Sequence, residues 1–293
     1  MWRPLKHCGY WTLAKLMSGF ASRLPLSASW KIGDYIGELV FHQASVSRNR
    51  AKRQIIQALP SVSNVEHLAL KCFQNLGKNL MEFLHFQQTE WVDTAVRLEG
   101  QRNLDQALSL ERGVIVLMGH FGNWELVGAT FARHGYKLNA IARPIRSKTI
   151  NNLVVGNRRQ AGYDSLDREK SLRKAFRCLK QNELLAILAD VDTKTSGVFV
   201  NFFGRSAHTP VGPVAIARKT DAPLLPVFMV RQPDNTHHMI IEPALDLQKT
   251  EHKQHDLIEN TQRFTCLIER YIRQYPEQWI WMHDRWKTRP VSN

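Results

Sequence analysis

The sequence predicts an α/β fold: a single domain in which a central mixed, largely parallel sheet is flanked by helices, with interfacial helices at the N-terminus. Short apolar runs alternate along the chain with segments whose apolar residues recur at helical spacing, as in βαβ units. The 293 residues are 43% hydrophobic, enough for one sizeable core, and no repeat or linker divides them. We place the N-terminal segment at residues 1–42 and the α/β domain at residues 43–293.

The N-terminal segment mixes aromatic residues such as Trp11 and Trp30 with cations such as Lys15 and Arg23. This mixture is typical of a helix lying in a membrane interface, although an amphipathic helix packed on the domain also explains it. The cations interrupt the segment, and no run of eighteen uncharged apolar residues occurs. We therefore expect peripheral or interfacial attachment rather than a spanning helix.

The clearest βαβ unit begins at Gly113. The five apolar residues Val114–Met118, three of them β-branched, predict a short buried strand. Helical spacing starts after Asn123, a plausible N-cap, and Tyr136–Ala142 predicts the next strand.

The remaining elements follow from the same spacings. Helices are predicted over residues 45–56, 64–86, 99–112, 150–160, 169–181, 209–218 and 251–275. Strands are predicted over residues 184–189, 198–203, 223–230 and 238–242. The first of these strands ends at Asp190-Val191-Asp192, which places two carboxylates at a strand end.

A net charge of +14 indicates an anionic partner: nucleic acid, anionic lipid or an acidic protein. No zinc-finger, RRM or KH signature supports nucleic acid, and we predict none as partner. The four cysteines are scattered without a CxxC, which suits a reducing compartment. We predict no metal site, because HEXXH is absent.

The loop after the strand at 114–118 contains His120, Asn123 and Glu125. Five residues turn about 500° along a helix, so His120 and Glu125 would point about 140° apart if both were helical. They can meet only if His120 lies in the loop and Glu125 in the first helical turn. A carboxylate there could hold one imidazole nitrogen and leave the other to take a proton from a hydroxyl.

Two interpretations of this pair remain from the residues alone. A histidine beside a carboxylate at a strand end is often only a structural hydrogen-bonded pair. The catalytic interpretation has no Ser, Cys or Lys nucleophile nearby, which favours direct attack by a substrate hydroxyl without a covalent acyl-enzyme. A non-enzymatic binder of membranes or nucleic acid is a third hypothesis, supported by charge but leaving the His–Glu pair unexplained.

Five ordered blocks resemble the lipid A biosynthesis (late) acyltransferases, within the H-x4-D/E glycerolipid acyltransferase superfamily. The blocks are HFGNWE at 120–125, Arg158 four residues before Gly162, Asp190 with Asp192, GVFVNFFGRSAHTP at 197–210 and PEQWIWMHDRWKTRP at 276–290. The resemblance covers about residues 30–290. It implies that His120 is the general base and that Glu125 orients it. We assign the following residues to substrate binding: Asn123, Arg143, Arg158, Arg159, Asp190, Asp192 and Arg205.

The resemblance also implies a fatty acyl transfer from an acyl carrier protein or coenzyme A thioester to a hydroxyl of a membrane glycolipid, most simply a lipid A precursor. Lysophospholipids and other glycolipids are alternative acceptors. No cofactor is expected beyond the acyl donor. Acidic acyl carrier protein would dock on the basic segments Arg168–Lys180 and Arg285–Arg289. The expected location is the cytoplasmic side of the inner membrane.

Overall fold

A computed structural model describes Gly19, residues 23–193 and residues 195–290. Half of the aromatic and cationic N-terminal segment, including Trp11 and Lys15, lies outside the described residues. Within them, none of the helices has the length and apolar character that crossing a membrane requires.

The described chain begins with four helices and then combines strands and helices up to residue 274. The helices are α1 (Leu26–Gln43), α2 (Ser45–Ala58), α3 (Val65–Leu84), α4 (Val92–Ala95), α5 (Gln101–Leu108), α6 (Trp124–Arg133), α7 (Lys148–Gln160), α8 (Leu172–Lys180), α9 (Gly212–Thr220) and α10 (Lys253–Gln274). The strands are β1 (Val96–Glu99), β2 (Val114–Met118), β3 (Leu138–Ala142), β4 (Asp164–Asp167), β5 (Leu184–Leu188), β6 (Gly197–Phe202), β7 (Arg205–Pro210), β8 (Leu224–Arg231) and β9 (His237–Ile241). Single 3₁₀ turns occur at His85–Gln87 and Pro276–Gln278.

Seven strands form one sheet in the order β1-β9-β8-β2-β5-β3-β4. Among the described strands, β8 and β9 are its antiparallel neighbours and the other neighbouring pairs are parallel. The predicted α/β class and the mixed, largely parallel sheet are therefore confirmed. Strands β2 and β8, in its middle, are buried along their whole length, which explains their continuous apolar runs.

Sequence spacing missed three short strands and misplaced some helix boundaries. β1 and β4 have only four residues each, which is too short for a period-two pattern to stand out. β7 pairs antiparallel with β6 in a separate hairpin. Its last residues, Thr209 and Pro210, were predicted to open the following helix, which begins instead at Gly212.

Helix α1 lies directly against α3. A side chain built on Gly77 would come within 2.0 Å of the Gly33 carbonyl oxygen, so the two backbones can approach only because both residues lack Cβ atoms. The outward face of α1 exposes apolar side chains, among them Ile32, Tyr35 and Leu39. α1 thus has one face packed on the domain and one apolar face open.

Parallel pairing determines where the functional loops meet. β2 pairs with β5 in a register that places Met118 beside Leu188. The chain leaves both strands at the same edge of the sheet, two residues before His120 and Asp190. This edge carries the candidate site.

Candidate active site

His120 lies in the loop between β2 and α6 and is held by the carboxylate of Asp190. The imidazole Nδ1 is 2.8 Å from Asp190 Oδ1, and the backbone N–H of His120 donates to Asp190 Oδ2 at 2.8 Å. Because an ionised carboxylate only accepts hydrogen bonds, Nδ1 carries the proton and Nε2 is the basic nitrogen. The side chain of His120 is 28% exposed, so the imidazole can be reached from outside.

Asp190 is buried and has a third donor, the indole N–H of Trp279, 2.8 Å from Oδ2. Burial alone would raise the pKa of Asp190, but the adjacent His120 and the hydrogen bonds from His120 and Trp279 lower the pKa below its ordinary value. The carboxylate is therefore ionised, which suits it to orient the imidazole and to stabilise an imidazolium.

The prediction that Glu125 contacts His120 is wrong. Glu125 does lie in the first turn of α6, and Asn123 is its N-cap, as predicted. The Glu125 carboxylate instead forms a bidentate pair with Arg158, with Nε–Oε2 and Nη2–Oε1 distances of 2.9 and 2.5 Å. Asp190, 70 residues beyond His120, takes the place that sequence spacing assigned to Glu125.

The Glu125–Arg158 pair has further polar partners. The hydroxyl of Tyr163 donates to Glu125 Oε2 at 2.7 Å, and Arg158 Nη1 donates to the Ser165 hydroxyl at 3.0 Å. Burial would lower the pKa of Arg158, but Glu125 raises it above its usual value. Arg158 is therefore a fixed, permanently charged group.

Arg158 and Arg143 line one cavity of about 240 Å³ beyond the carboxyl ends of β3 and β4. Arg143 is exposed there, whereas the Arg158 side chain is only 14% exposed within its ion pair. The structure thus brings these two predicted substrate-binding cations to the same recess.

Two other predicted cations lie elsewhere. Arg159 points away from Arg158, pairs with Asp164 at 3.1 Å and has a side chain that is 69% exposed. Arg205 lies over the ring of Trp286, 4.8 Å from its centroid, and donates to Gln57 at 2.5 Å. These contacts favour structural roles for both residues.

Asn123 and Asp192 are buried, and their side chains bond to protein groups. Asn123 Oδ1 accepts from the Leu126 N–H at 3.2 Å, and Asp192 Oδ2 accepts from the Thr288 N–H at 2.9 Å. The ring Nε2 of His283 and the ammonium group of Lys287 lie 3.1 and 2.8 Å from the carbonyl oxygen of Asp192. Their geometry, like that of Asp190, indicates positioning of the loops rather than contact with substrate.

The loop after His120 crosses the sheet closely at Gly122. Gly122 has a φ of +57°, and a Cβ there would lie 1.6 Å from the carbonyl oxygen of Met229 in β8. Only glycine fits both the left-handed backbone and this approach. The loop backbone therefore rests directly on the central sheet.

Sequence reasoning missed the roles of Trp279, Tyr163 and Ser165. Trp279 is buried like a packing residue, but its N–H also bonds to Asp190. No spacing rule links these residues to His120 or Arg158, because they arrive from separate elements. The available signal for Trp279 was chemical: a buried indole N–H usually has a hydrogen-bond partner.

A second, largely apolar cavity of about 450 Å³ lies between the sheet and helices α8 and α9. Its wall includes Ile141, Phe176, Ile187 and Ile216, together with Leu188, two residues before Asp190. A volume in this range is typical of ligand pockets. Apolar space therefore adjoins the strand that leads to the His120–Asp190 pair.

Comparison with known proteins covers nearly the whole chain. A family described as bacterial lipid A biosynthesis acyltransferase matches residues 3–288. The lipid A biosynthesis lauroyltransferase of Escherichia coli K12 is 26% identical over 280 residues, which are 92% of this chain and 88% of the relative. The lipid A biosynthesis palmitoleoyltransferase of the same strain is 28% identical, with the same coverage.

A relative with another substrate in its name matches a shorter part. The phosphatidylinositol mannoside acyltransferase of Mycolicibacterium smegmatis is 27% identical over 188 residues, which are 63% of this chain and 60% of the relative. The similarity thus reaches acyltransferases named for two kinds of glycolipid.

Proposed function

Because the chain belongs to the bacterial lipid A biosynthesis acyltransferase family, a family of O-acyltransferases, we propose that it moves a fatty acyl chain from a thioester to a hydroxyl of a lipid A precursor. The donor we propose is acyl carrier protein, with coenzyme A as the alternative. The observation that carries the proposed mechanism is the partly exposed His120 imidazole held through Nδ1 by buried Asp190.

The chemistry follows from that geometry. Nε2 of His120 takes the proton of the acceptor hydroxyl as its oxygen attacks the thioester carbonyl carbon. The tetrahedral intermediate collapses, the C–S bond breaks, and the imidazolium returns the proton to the departing thiolate. Asp190 keeps the imidazole oriented and stabilises its positive charge during the step. No covalent acyl-enzyme is needed, since the acceptor itself is the nucleophile.

Two cavities support the assignment of substrates. The recess lined by Arg143 and Arg158 suits a phosphate of an anionic glycolipid, because the guanidinium of Arg143 is exposed there and guanidinium groups bind phosphate oxygens bidentately. The apolar cavity beside β5 suits the acyl chain. We assign no substrate contact to Arg159 or Arg205.

The surface supports an acidic protein partner and an anionic membrane. The exposed cations of α8, which include Arg173, Lys174 and Arg177, suit docking of acyl carrier protein. Arg285 was expected to extend this surface but is only 1% exposed, so it does not. The open apolar face of α1, on which Tyr35 is 67% exposed, suits peripheral attachment at the cytoplasmic side of the inner membrane.

A mixed-micelle assay tests the proposal with wild type and His120→Ala. Each acyl donor is offered with a lipid A precursor, a mannosylated phosphoinositide or a lysophospholipid. We expect transfer to the lipid A precursor, reduced by about 10²–10⁴-fold in His120→Ala, the usual contribution of a positioned base. Transfer only to another acceptor would replace the proposed substrate, and full activity of the variant would refute the mechanism.

A further inference from the structure

A fully buried carboxylate, that of Glu82 in α3, contacts the loop that follows His120. Arg231 contacts both of its oxygens, at 2.5 and 2.8 Å, and the ring Nε2 of His237 is 3.1 Å away. Two more donors arrive from distant parts of the chain. The indole N–H of Trp30 in α1 lies 2.7 Å from Oε1, and the side-chain amide of Asn123 lies 2.6 Å from Oε2.

Asn79, one helical turn before Glu82, bonds to the same loop. Its Nδ2 donates to the Gly122 carbonyl at 2.6 Å, and its Oδ1 accepts from Arg231 at 2.7 Å. Gly122 and Asn123, consecutive residues of the loop, are thus hydrogen-bonded to side chains on one face of α3. The Gly122 N–H is also bonded, to the Gln278 carbonyl at 2.8 Å.

The negative charge of Glu82 dictates how Asn123 is oriented. Burial by itself would raise the pKa of Glu82, but Arg231 and His237 lower the pKa well below its ordinary range. An ionised carboxylate can only accept hydrogen bonds, so Asn123 must turn its NH₂ group toward Glu82. Its oxygen then faces the Leu126 N–H and caps α6.

A buried ion pair is weak evidence for stability, because apolar side chains of similar volume often serve equally well. A role in specifying geometry is better supported here, since two polar contacts from α3 reach the loop that follows His120. The Glu82 carboxylate is fully buried and cannot touch substrate.

We propose that Glu82 and Asn79 are positioning residues for acyl transfer: they hold Gly122 and Asn123, and through them fix where the His120 imidazole stands relative to the thioester and the acceptor hydroxyl. This inference rests on the proposed function. A displacement of the imidazole by about 1 Å can lower the rate about 10²-fold, so we expect the effect in kcat.

Glu82→Gln and Asn79→Ala test the proposal, with Asp256→Asn as a matched control. Asp256 is also a buried carboxylate paired with an arginine, Arg218, but it lies at the start of α10 and bonds to Thr250. At a temperature where every variant is folded, we expect kcat to fall about 10–100-fold in Glu82→Gln and about 3–10-fold in Asn79→Ala. KM should stay within about twofold in both, and kcat should be unchanged in Asp256→Asn.

A second measurement needs no substrate. In protein labelled with ¹⁵N-histidine, the ring signals of His120 can be assigned by their loss in His120→Ala. We expect wild type and Asp256→Asn to show the Nδ1-protonated tautomer, and Glu82→Gln and Asn79→Ala to show averaging between tautomers.

The outcomes separate the two proposals. Wild-type kcat and tautomer in both α3 variants, or equal losses in Asp256→Asn, would overturn the positioning role. If Glu82→Gln does not fold, Asn79→Ala decides alone, since alanine is compatible with the helix. If wild type transfers no acyl group to any acceptor, the proposed function fails while the ring signals still test the positioning role.

Discussion

Two carboxylates near the loop that contains His120 bind different partners. Asp190 is buried, accepts from the backbone and ring of His120, and is completed by the Trp279 indole. Glu125, five residues from His120 in the chain, binds Arg158 instead. Proximity along the chain therefore does not decide which carboxylate holds the His120 imidazole. The parallel sheet does, because it brings the ends of β2 and β5 together.

The strongest test of this contrast is Asp190→Asn. Asparagine can present an N–H to the imidazole and so favour the wrong tautomer, as the loss of the aspartate does in serine protease triads. We expect kcat to fall by about 10²–10⁴-fold and the pH–rate profile to change, measured with the acyl-transfer assay. A loss below about tenfold would remove Asp190 from the role of orienting group.

Glu125→Gln should have a smaller effect of another kind. It removes the charge that balances Arg158 while leaving His120 and Asp190 in contact, so we expect kcat/KM to fall about 10–100-fold with an unchanged pH–rate profile. Glu99→Gln, at an exposed ion pair with His238, is the control and should have no effect. If Glu125→Gln reproduced the altered profile of Asp190→Asn, the division between the two carboxylates would be wrong.

The dependence of stability on pH tests the same contrast without substrate. The folded-state pKa of Asp190 lies below the ordinary 3.8. Its contribution to the free energy of unfolding is therefore present above about pH 4 and is lost as the pH falls through 3.8 toward the folded-state value. We expect the stability difference between wild type and Asp190→Asn, measured by urea unfolding, to shrink between about pH 5 and pH 3.

Asp246→Asn, which removes a fully exposed carboxylate, controls for general acid effects. Its stability difference from wild type should stay near zero over the same range. A wild-type advantage over Asp190→Asn that grew on acidification would contradict a lowered pKa for Asp190.

The smallest expected effect concerns the adjacent cations Arg158 and Arg159. Arg159→Gln removes a solvent-exposed ion pair, which is worth little, so we expect less than about a twofold change in kcat/KM. Arg158→Gln removes the partner of Glu125 and a wall of the recess, and should lower kcat/KM about tenfold or more. Equal losses in the two variants would place Arg159 at the acceptor after all.

The sequence predicted the elements of this site better than its contacts. The glycine after the apolar run, the N-cap Asn123 and the helix behind it are local features, and local spacing identifies them. The Asp190–His120 contact depends on β5 lying next to β2, and strand order is not readable from periodicity. Given that neighbour, the register would have placed residues 120 and 190 side by side.

The residues that could not be predicted share a cause. Tyr163, Trp279 and Glu82 act through side-chain hydrogen bonds to groups from other parts of the chain. Each of them lies in an apolar or helical stretch of the sequence, where a packing role explains the residue equally well. Arg159 shows the opposite error, since its neighbour Arg158 faces the site while a single helical step turns Arg159 to solvent.

Because His120 is bonded to one carboxylate at two points, its side chain is already ordered before any substrate binds. Asp190 binds both the main chain and the ring of the same residue, so the torsions between those two points have little freedom left. A free surface histidine would have to lose rotamer entropy each time a substrate arrived. Here that loss occurs once, when the chain folds, so an arriving substrate would meet an imidazole that is already oriented.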